Sequence, residues 1–525
     1  KRPSWLCLDL LHFNNTCHLE SAARWVSLGS DGISNMTEPT STNVHSLDPT
    51  DWEDARQTAH QMVDDMVDYL SSIRSRPAWR TVPPEVKTAL EQDVPHEGES
   101  LAAVYEEFKE TILPYPTGNL HPGFFGWVMG NGTFTGAMAD ALASSMNAHV
   151  AGYDQSASIV ERQVISWLAE LVGFPKSSSG LLVTGGTMAN LNGVAVARHE
   201  KAGFDIRTHG LQAGSAPRLR IYGSAQTHSW IYRACELMGM GREAFRSVPT
   251  NDAFQIDISK CRDMIESDIA AGDRPFCVMG TVGTVNTGAI DDLHALRALA
   301  DAFDIWFHID GAFGSLAAWS PDTAPLVEGQ QLADSIAFDL HKWGYMPYDV
   351  GCVLTRNADA QDQTFGQAAS YLSPTKRGLA VGTTYFADKG LQLSRSFRAL
   401  KVWMSMKEQG VERIGQAISR NVEQAKYLER LISQHDDLEL LAPVSLNAVC
   451  YRVKYDELSL EGLNRLNEEV LLRIQESGTA VPSHTFIDEK FAIRVCITNH
   501  RTENEDLERL VVDTRRHARD ALKAL

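Results

Sequence analysis

The chain reads as an α/β protein: a mostly parallel sheet with helices on both faces, followed by a smaller C-terminal α+β domain. Three observations predict this. Between His121 and about Ala360, short apolar runs alternate with turn residues and helical segments, the pattern of parallel strands joined by crossover helices. The polar residues that stand out in this stretch follow the apolar runs, where such sheets collect ligands outside the carboxyl ends of their strands. After Gln392 long helical patterns dominate, with short strand-like runs between them.

Composition sets the outer bounds. The 525 residues are 43% hydrophobic and 22% charged, the balance of a globular protein with a large core. Lys and Arg number 48 against 67 Asp and Glu, a net charge of −19 that argues against nucleic acid or anionic membrane as partners. The eight cysteines form no CxxC pair and no Cys/His zinc spacing. They read as reduced thiols of a cytoplasmic protein, and no metal site is expected. No apolar run reaches the ~18 residues that a membrane span requires.

Taken in order, residues 1–48 read as an N-terminal extension that is expected to be poorly ordered. Lys1, Arg2 and the interrupted apolar stretch Trp5–Leu11 do not make a clean signal peptide, and Met36-Thr37-Glu38-Pro39 reads as a native start. Residues 49–120 are expected to form a helical arm. Asp51 can cap a helix whose apolar stripe is Met62, Val63, Met66, Val67 and Leu70, and a second helix spans Ser100–Leu113 after a Pro-rich connector. These helices are too few to bury a core alone, so the arm should pack on something else.

Residues 121–391 should form the large domain. Its strands are Leu181–Val183, Arg218–Tyr222, Phe276–Met279, Asp304–Ile309 and Ser335–Phe338, with helices from Met188, near His228 and over Ile290–Phe303. Residues 392–525 should form the small domain, with helices Ser396–Gln409 and Val411–Ser433, strands Ala448–Val453 and Phe491–Cys496, and a last helix from Glu503.

Five features in the large domain carry chemistry. Lys342 follows an apolar strand; a desolvated lysine loses its proton more easily and can form an imine with an aldehyde. Taken alone it is equally an ordinary strand-end lysine. Asp310 ends Ile305–Ile309, where a carboxylate can pair with a cationic ring nitrogen, and Ala312 leaves room for a flat ring; alone it is a common turn aspartate. Thr184-Gly185-Gly186-Thr187-Met188 joins strand to helix, and the free N–H groups of a first helical turn attract phosphate. His228 can stack on a ring, and Thr281 sits in the loop Gly280–Thr284. Gly130-Asn131-Gly132 resembles a nucleotide fingerprint, but its spacing is wrong and no strand leads into it. The set taken together suits a phosphorylated aldehyde with a protonatable ring nitrogen, pyridoxal 5′-phosphate.

From about residue 50 to the C-terminus the sequence resembles the group II pyridoxal-phosphate-dependent amino-acid decarboxylases, the aromatic-L-amino-acid and glutamate decarboxylase family. The matching segments are His121–Gly126, Thr184–Asn190, Thr227-His228-Ser229, Gly280–Thr284, His308–Ala312, Asp339-Leu340-His341-Lys342-Trp343 and Phe397–Lys401. The resemblance implies fold type I and a homodimer with the N-terminal helices wrapped on the partner. It implies that Lys342 forms the imine with the cofactor, Asp310 pairs with the ring nitrogen and His228 stacks on the ring. Gly186, Thr187 and Met188 would lie near the phosphate, with Thr281, Ala312, Asp339 and His341 around the cofactor. Asp339 stands where animal aromatic enzymes use Asn.

The implied reaction is loss of CO2 from an L-amino acid, with a loop tyrosine or histidine returning a proton to the α-carbon. The loop runs over about Leu372–Ala387. Counting back from Phe397 puts Phe386 at the aromatic enzymes' tyrosine position, with Tyr385 beside it. Tyr385 as donor gives an amine; Phe386 there opens an oxidative route to an aldehyde. His121, Trp127, Tyr153 and Phe386 map near the substrate, and Trp127 and Tyr153 suit an aromatic side chain. An acidic substrate, a non-catalytic scaffold and an aminotransferase are the other readings. Arg494 reads equally as a substrate contact or a structural strand arginine.

Overall fold

The computed structural model describes residues 46–212, 216–367, 376–381 and 384–523. Most of the N-terminal extension and residues 372–375 and 382–383 of the 372–387 loop therefore lie outside the described residues.

The large sheet has seven strands: β1 Ser179–Val183, β2 Leu219–Ser224, β3 Phe245–Val248, β4 Arg274–Thr281, β5 Trp306–Asp310, β6 Ser335–Asp339 and β7 Gly351–Thr355. Their spatial order is β1-β7-β6-β5-β4-β2-β3. Neighbours from β3 through β6 are parallel, and these strands are joined by helices. β1, β2, β5, β6 and β7 are buried throughout, as a sheet covered on both faces requires. Phe307, Ile309, Ile336, Phe338, Val353 and Leu354 fill the core on either side.

The expected parallel sheet has one exception with consequences for the site. β7 runs antiparallel to both β1 and β6. The β6–β7 connection, residues 340–350, holds no crossover helix, so the chain turns back on itself. β7 consequently starts where β1 and β6 end. Gly351 lies opposite Val183 on one side and Asp339 on the other. Any Cβ at Gly351 would fall 2.6 Å from Asp339 Oδ1 and 2.7 Å from Gly185 Cα, so only glycine lets these three strand ends meet.

Several elements differ from the sequence expectation. β3, β7 and the helices Phe134–Met146, Ser156–Leu171 and Ile258–Ala270 are additional. The helix expected from Met188 begins at Gly186, without a capping side chain. The Gly130 segment forms no strand: its glycine is explained by a close approach, since a Cβ there would overlap the His341 carbonyl oxygen at 1.6 Å.

A second, four-stranded antiparallel sheet is formed by β8 Leu438–Leu440, β9 Ala448–Val453, β10 Ser483–Ile487 and β11 Lys490–Cys496, in the order β10-β11-β9-β8. Helices Val411–Ser433, Leu460–Glu476 and Asn504–Leu522 supply Leu428, Leu466, Val470, Leu507 and Leu510 to its core. The last helix starts with a reciprocal cap between Glu503 and Asp506. Residues 124–127 run along this sheet: Phe125 donates its N–H to the Val481 carbonyl and accepts from Cys496 N–H, both at 2.9 Å. The six described cysteines are buried and free, and no described helix is long and apolar enough to cross a membrane.

Candidate active site

The carboxyl ends of β1, β5 and β6 converge. Asp339 ends β6 and is 1% exposed. Three residues on, Lys342 Nζ lies 2.9 Å from Asp339 Oδ2. Burial alone would push the lysine ammonium down, as expected from the sequence. The adjacent Asp339 carboxylate, with Asp310 and Tyr348 adding to it, outweighs that and holds Lys342 above its ordinary value. The lysine is thus a partly buried ammonium with a counter-ion, rather than a free amine.

The turn after β1 faces the same point. A Cβ on Gly186 would meet Asp339 Oδ2 at 2.7 Å and the Ala312 Cβ at 3.5 Å, while one on Gly185 would meet the His341 ring at 3.0 Å. The first N–H groups of the Gly186–Lys201 helix therefore open between Asp339, His341 and Ala312 with no side-chain cap. Thr187 is exposed and Met188 half-buried. His341 uses Nδ1 to accept Val350 N–H at 3.1 Å, and its ring lies 4.6 Å from that of Tyr348. Tyr348 in turn accepts a hydrogen bond from Gly130 N–H.

Asp310 ends β5, 4% exposed. Its Oδ1 accepts the Ala312 N–H at 3.1 Å and its Oδ2 the indole N–H of Trp230 at 2.7 Å. His228 is exposed on the same side, and its Nδ1 accepts the Trp230 backbone N–H at 3.2 Å, which leaves the proton of the neutral ring on Nε2. Partial desolvation pushes this imidazole down in pKa, and Asp310 only partly offsets it. Thr281 is placed by Asp291, whose carboxylate accepts N–H groups from Thr281 and Ile256.

The outer residues divide. Trp127 is half exposed, and its carbonyl accepts Arg494 Nη1 at 2.7 Å. Arg494 also binds the Asn286 carbonyl, and Asn286 reaches Gln226, two residues before His228, so Trp127 is tied to the His228 turn. Tyr153 packs edge-on against Tyr385 at 6.1 Å. Tyr385 covers Gly152, where a Cβ would fall 2.5 Å from its ring. Phe386 instead points into the core, 1% exposed, beneath the Arg395 guanidinium. His121 closes its own turn by accepting Gly123 N–H and lines a separate cavity of about 40 Å³ with Tyr69 and Trp79. Sequence reasoning does not single out Trp230 or Tyr348: Trp230 lies two residues after His228 and Tyr348 seven after His341, with no motif marking either.

These residues fit pyridoxal phosphate. The helix start offers uncapped N–H groups for a phosphate, and Thr281 Oγ1 and Asp339 Oδ1 are buried without hydrogen-bond partners at the same site. Asp310 retains lone pairs for a ring nitrogen beyond its two donors.

Comparison with known proteins agrees. The pyridoxal-dependent decarboxylase conserved domain matches residues 83–454. The chain belongs to this family. It is a pyridoxal-phosphate-dependent amino-acid decarboxylase of the group II type. The aromatic-L-amino-acid decarboxylase of Bacillus atrophaeus is 34% identical over 466 residues, 88% of this chain and 94% of that protein. Among solved structures, Oryza sativa TDC with PLP and tryptamine aligns with a TM-score of 0.83 at 25% identity, covering 91% of this chain and 100% of that one. The 4-hydroxyphenylacetaldehyde synthase of Rhodiola rosea aligns at 0.81 and 26%, covering 90% and 99%. The fold is that of fold type I decarboxylases.

Proposed function

We propose that this decarboxylase converts an aromatic L-amino acid to its amine and CO2, with Lys342, Asp310 and His228 as the groups that hold and work the cofactor. The observation that carries the assignment is the meeting of the Lys342–Asp339 pair, Asp310 and the uncapped Gly186 helix at adjoining strand ends. Pyridoxal phosphate supplies the electron sink for the pair of electrons released when CO2 departs. Gly186, Thr187 and Met188 would take its phosphate, with Thr281, Ala312, Asp339 and His341 around it.

Each residue then has a distinct task. Asp310, fixed by two N–H donors, is the carboxylate that keeps a proton on the ring nitrogen, so negative charge developing there is neutralised. His228 offers a neutral ring face. Lys342 must give up a proton before it can act as a nucleophile, and the Asp339 carboxylate beside it opposes that loss. Arg494 is 2% exposed, has no carboxylate within 4 Å among the described residues, and leaves Nη2 without a partner; it suits a substrate carboxylate next to Trp127. Trp127 and Tyr153 suit an aromatic side chain, in keeping with the aromatic amino acids in the names of decarboxylase relatives.

The amine reading takes Tyr385 as proton donor. The aldehyde route is the second reading, favoured by the aldehyde synthase among the structural relatives; the core position of Phe386 favours the first. A homodimer is supported by apolar residues of the arm left exposed in the single chain, Val63, Met66, Val67, Val104 and Phe108. We place the protein in the cytoplasm on its free cysteines. Lys342→Ala should lose the borohydride-fixable bond to the cofactor and all turnover while still folding. Fixation at another lysine would defeat the assignment.

A further inference from the structure

We infer that Trp230 is a positioning residue for this decarboxylation, holding Asp310 and His228 in register through its two N–H groups. The inference rests on the roles proposed for those two residues. Trp230 begins the Trp230–Leu237 helix and is 3% exposed. Its backbone N–H fixes the His228 ring through Nδ1, and its indole N–H, 2.7 Å from Asp310 Oδ2, fixes the carboxylate. An indole N–H only donates, so it can neither compete for a proton nor rotate away as a hydroxyl can.

The indole is itself immobilised. It stands edge-on to His308, whose ring is held between Ser335 Oγ and Asn190 Oδ1, both at 2.8 Å. Ser335 Oγ accepts the Trp306 indole N–H, so its hydroxyl proton is free to point at His308 Nδ1, which leaves His308 Nε2–H to donate to Asn190. Asn190 lies on the Gly186 helix. One buried chain of contacts thus connects the phosphate-facing helix, β5 and the His228 turn through a single indole. Without it, Asp310 keeps only the Ala312 N–H and is free to turn about its last side-chain bond.

The test replaces Trp230 in the holoenzyme by Phe, and by 3-benzothienylalanine, which keeps the indole shape without the N–H. Two quantities are read: kcat and the pyridoxal phosphate Kd of the apoenzyme, followed by fluorescence quenching. Both replacements should lower kcat about tenfold or more, the worth of one hydrogen bond to a charged group, and weaken cofactor binding. In an Asp310→Asn background the same replacements should add about twofold at most, because the effect acts through Asp310. A benzothienylalanine protein with unchanged kcat and Kd, or effects that multiply with those of Asp310→Asn, would overturn the inference. If Asp310→Asn alone leaves both quantities unchanged, the reading of Asp310 fails and this one with it. If Asp310→Asn is crippling and the Trp230 replacements are silent, only this one fails.

Discussion

Removing Glu161 should be among the most damaging single changes outside the strand ends. Glu161 is 0% exposed and Arg395 1%, and the two are ion-paired. Arg395 also donates to the Val150 and Leu182 carbonyls at 2.7 and 2.8 Å, and its guanidinium lies 5.1 Å from the Phe386 ring centre. Burial pushes the Glu161 carboxyl up in pKa, and Arg395 opposes this. At the effective dielectric of such sites the attraction is worth about 4 kcal/mol, roughly matching the desolvation of the pair. Glu161→Leu strands a buried cation with two carbonyls as its acceptors and should cost about 3–5 kcal/mol, a large part of a typical domain's stability. Glu161→Leu with Arg395→Met should regain most of that loss. Because Leu182 is two residues before Thr184, the single variant should also weaken cofactor binding. Urea denaturation monitored by tryptophan fluorescence and far-UV circular dichroism would measure the first effect and cofactor titration the second. A loss below about 1 kcal/mol for Glu161→Leu would refute the reasoning.

Other consequences are equally direct. Gly186→Ala puts a methyl 2.7 Å from the Asp339 carboxylate, so the Lys342–Asp339 pair must shift; about 1–3 kcal/mol of stability and much of the cofactor affinity should go, read by thermal melts and titration. Burial, helped by Arg501, pushes His500 down to about 4, so the unfolded chain binds the extra proton first on acidification. Its contribution is present above the unfolded value and lost as pH falls from about 6.5 towards 4, up to about 3 kcal/mol; His500→Gln should flatten that part of the urea-midpoint profile. Asp291, raised to about 6 by burial, has the opposite sign: its penalty fades as pH falls through 6 towards 4. Tyr385→Phe should divert product from amine to aldehyde, seen as ammonia and peroxide.

What the sequence made legible was local. Asp310 and Lys342 stand at the ends of apolar runs, and Thr184–Met188 at a strand-to-helix turn, so their places on the sheet followed from periodicity. What stayed hidden depends on pairing between distant segments. The antiparallel β7 brings Gly351 against Asp339 and Gly185 across about 170 residues of chain. Desolvation was the visible half of the Lys342 environment, while its counter-ion Asp339 appears only once the turn closes. Counting along the loop could not separate Tyr385 from Phe386; packing does, sending Phe386 beneath Arg395 and Tyr385 onto Tyr153. Trp230 has no motif at all, since its role lies in an indole reaching a strand 80 residues away.

The most direct test of the central claim is product analysis of the purified protein, loaded with pyridoxal phosphate and offered L-Tyr, L-Trp, L-Phe, L-DOPA, L-His and L-Glu one at a time. CO2 and the matching amine in equal amounts from an aromatic substrate, abolished by Lys342→Ala, is the predicted result. CO2 with ammonia and peroxide would replace the amine conclusion by the aldehyde route. Release of CO2 from L-Glu alone, or from none of the six, would contradict the aromatic decarboxylase account.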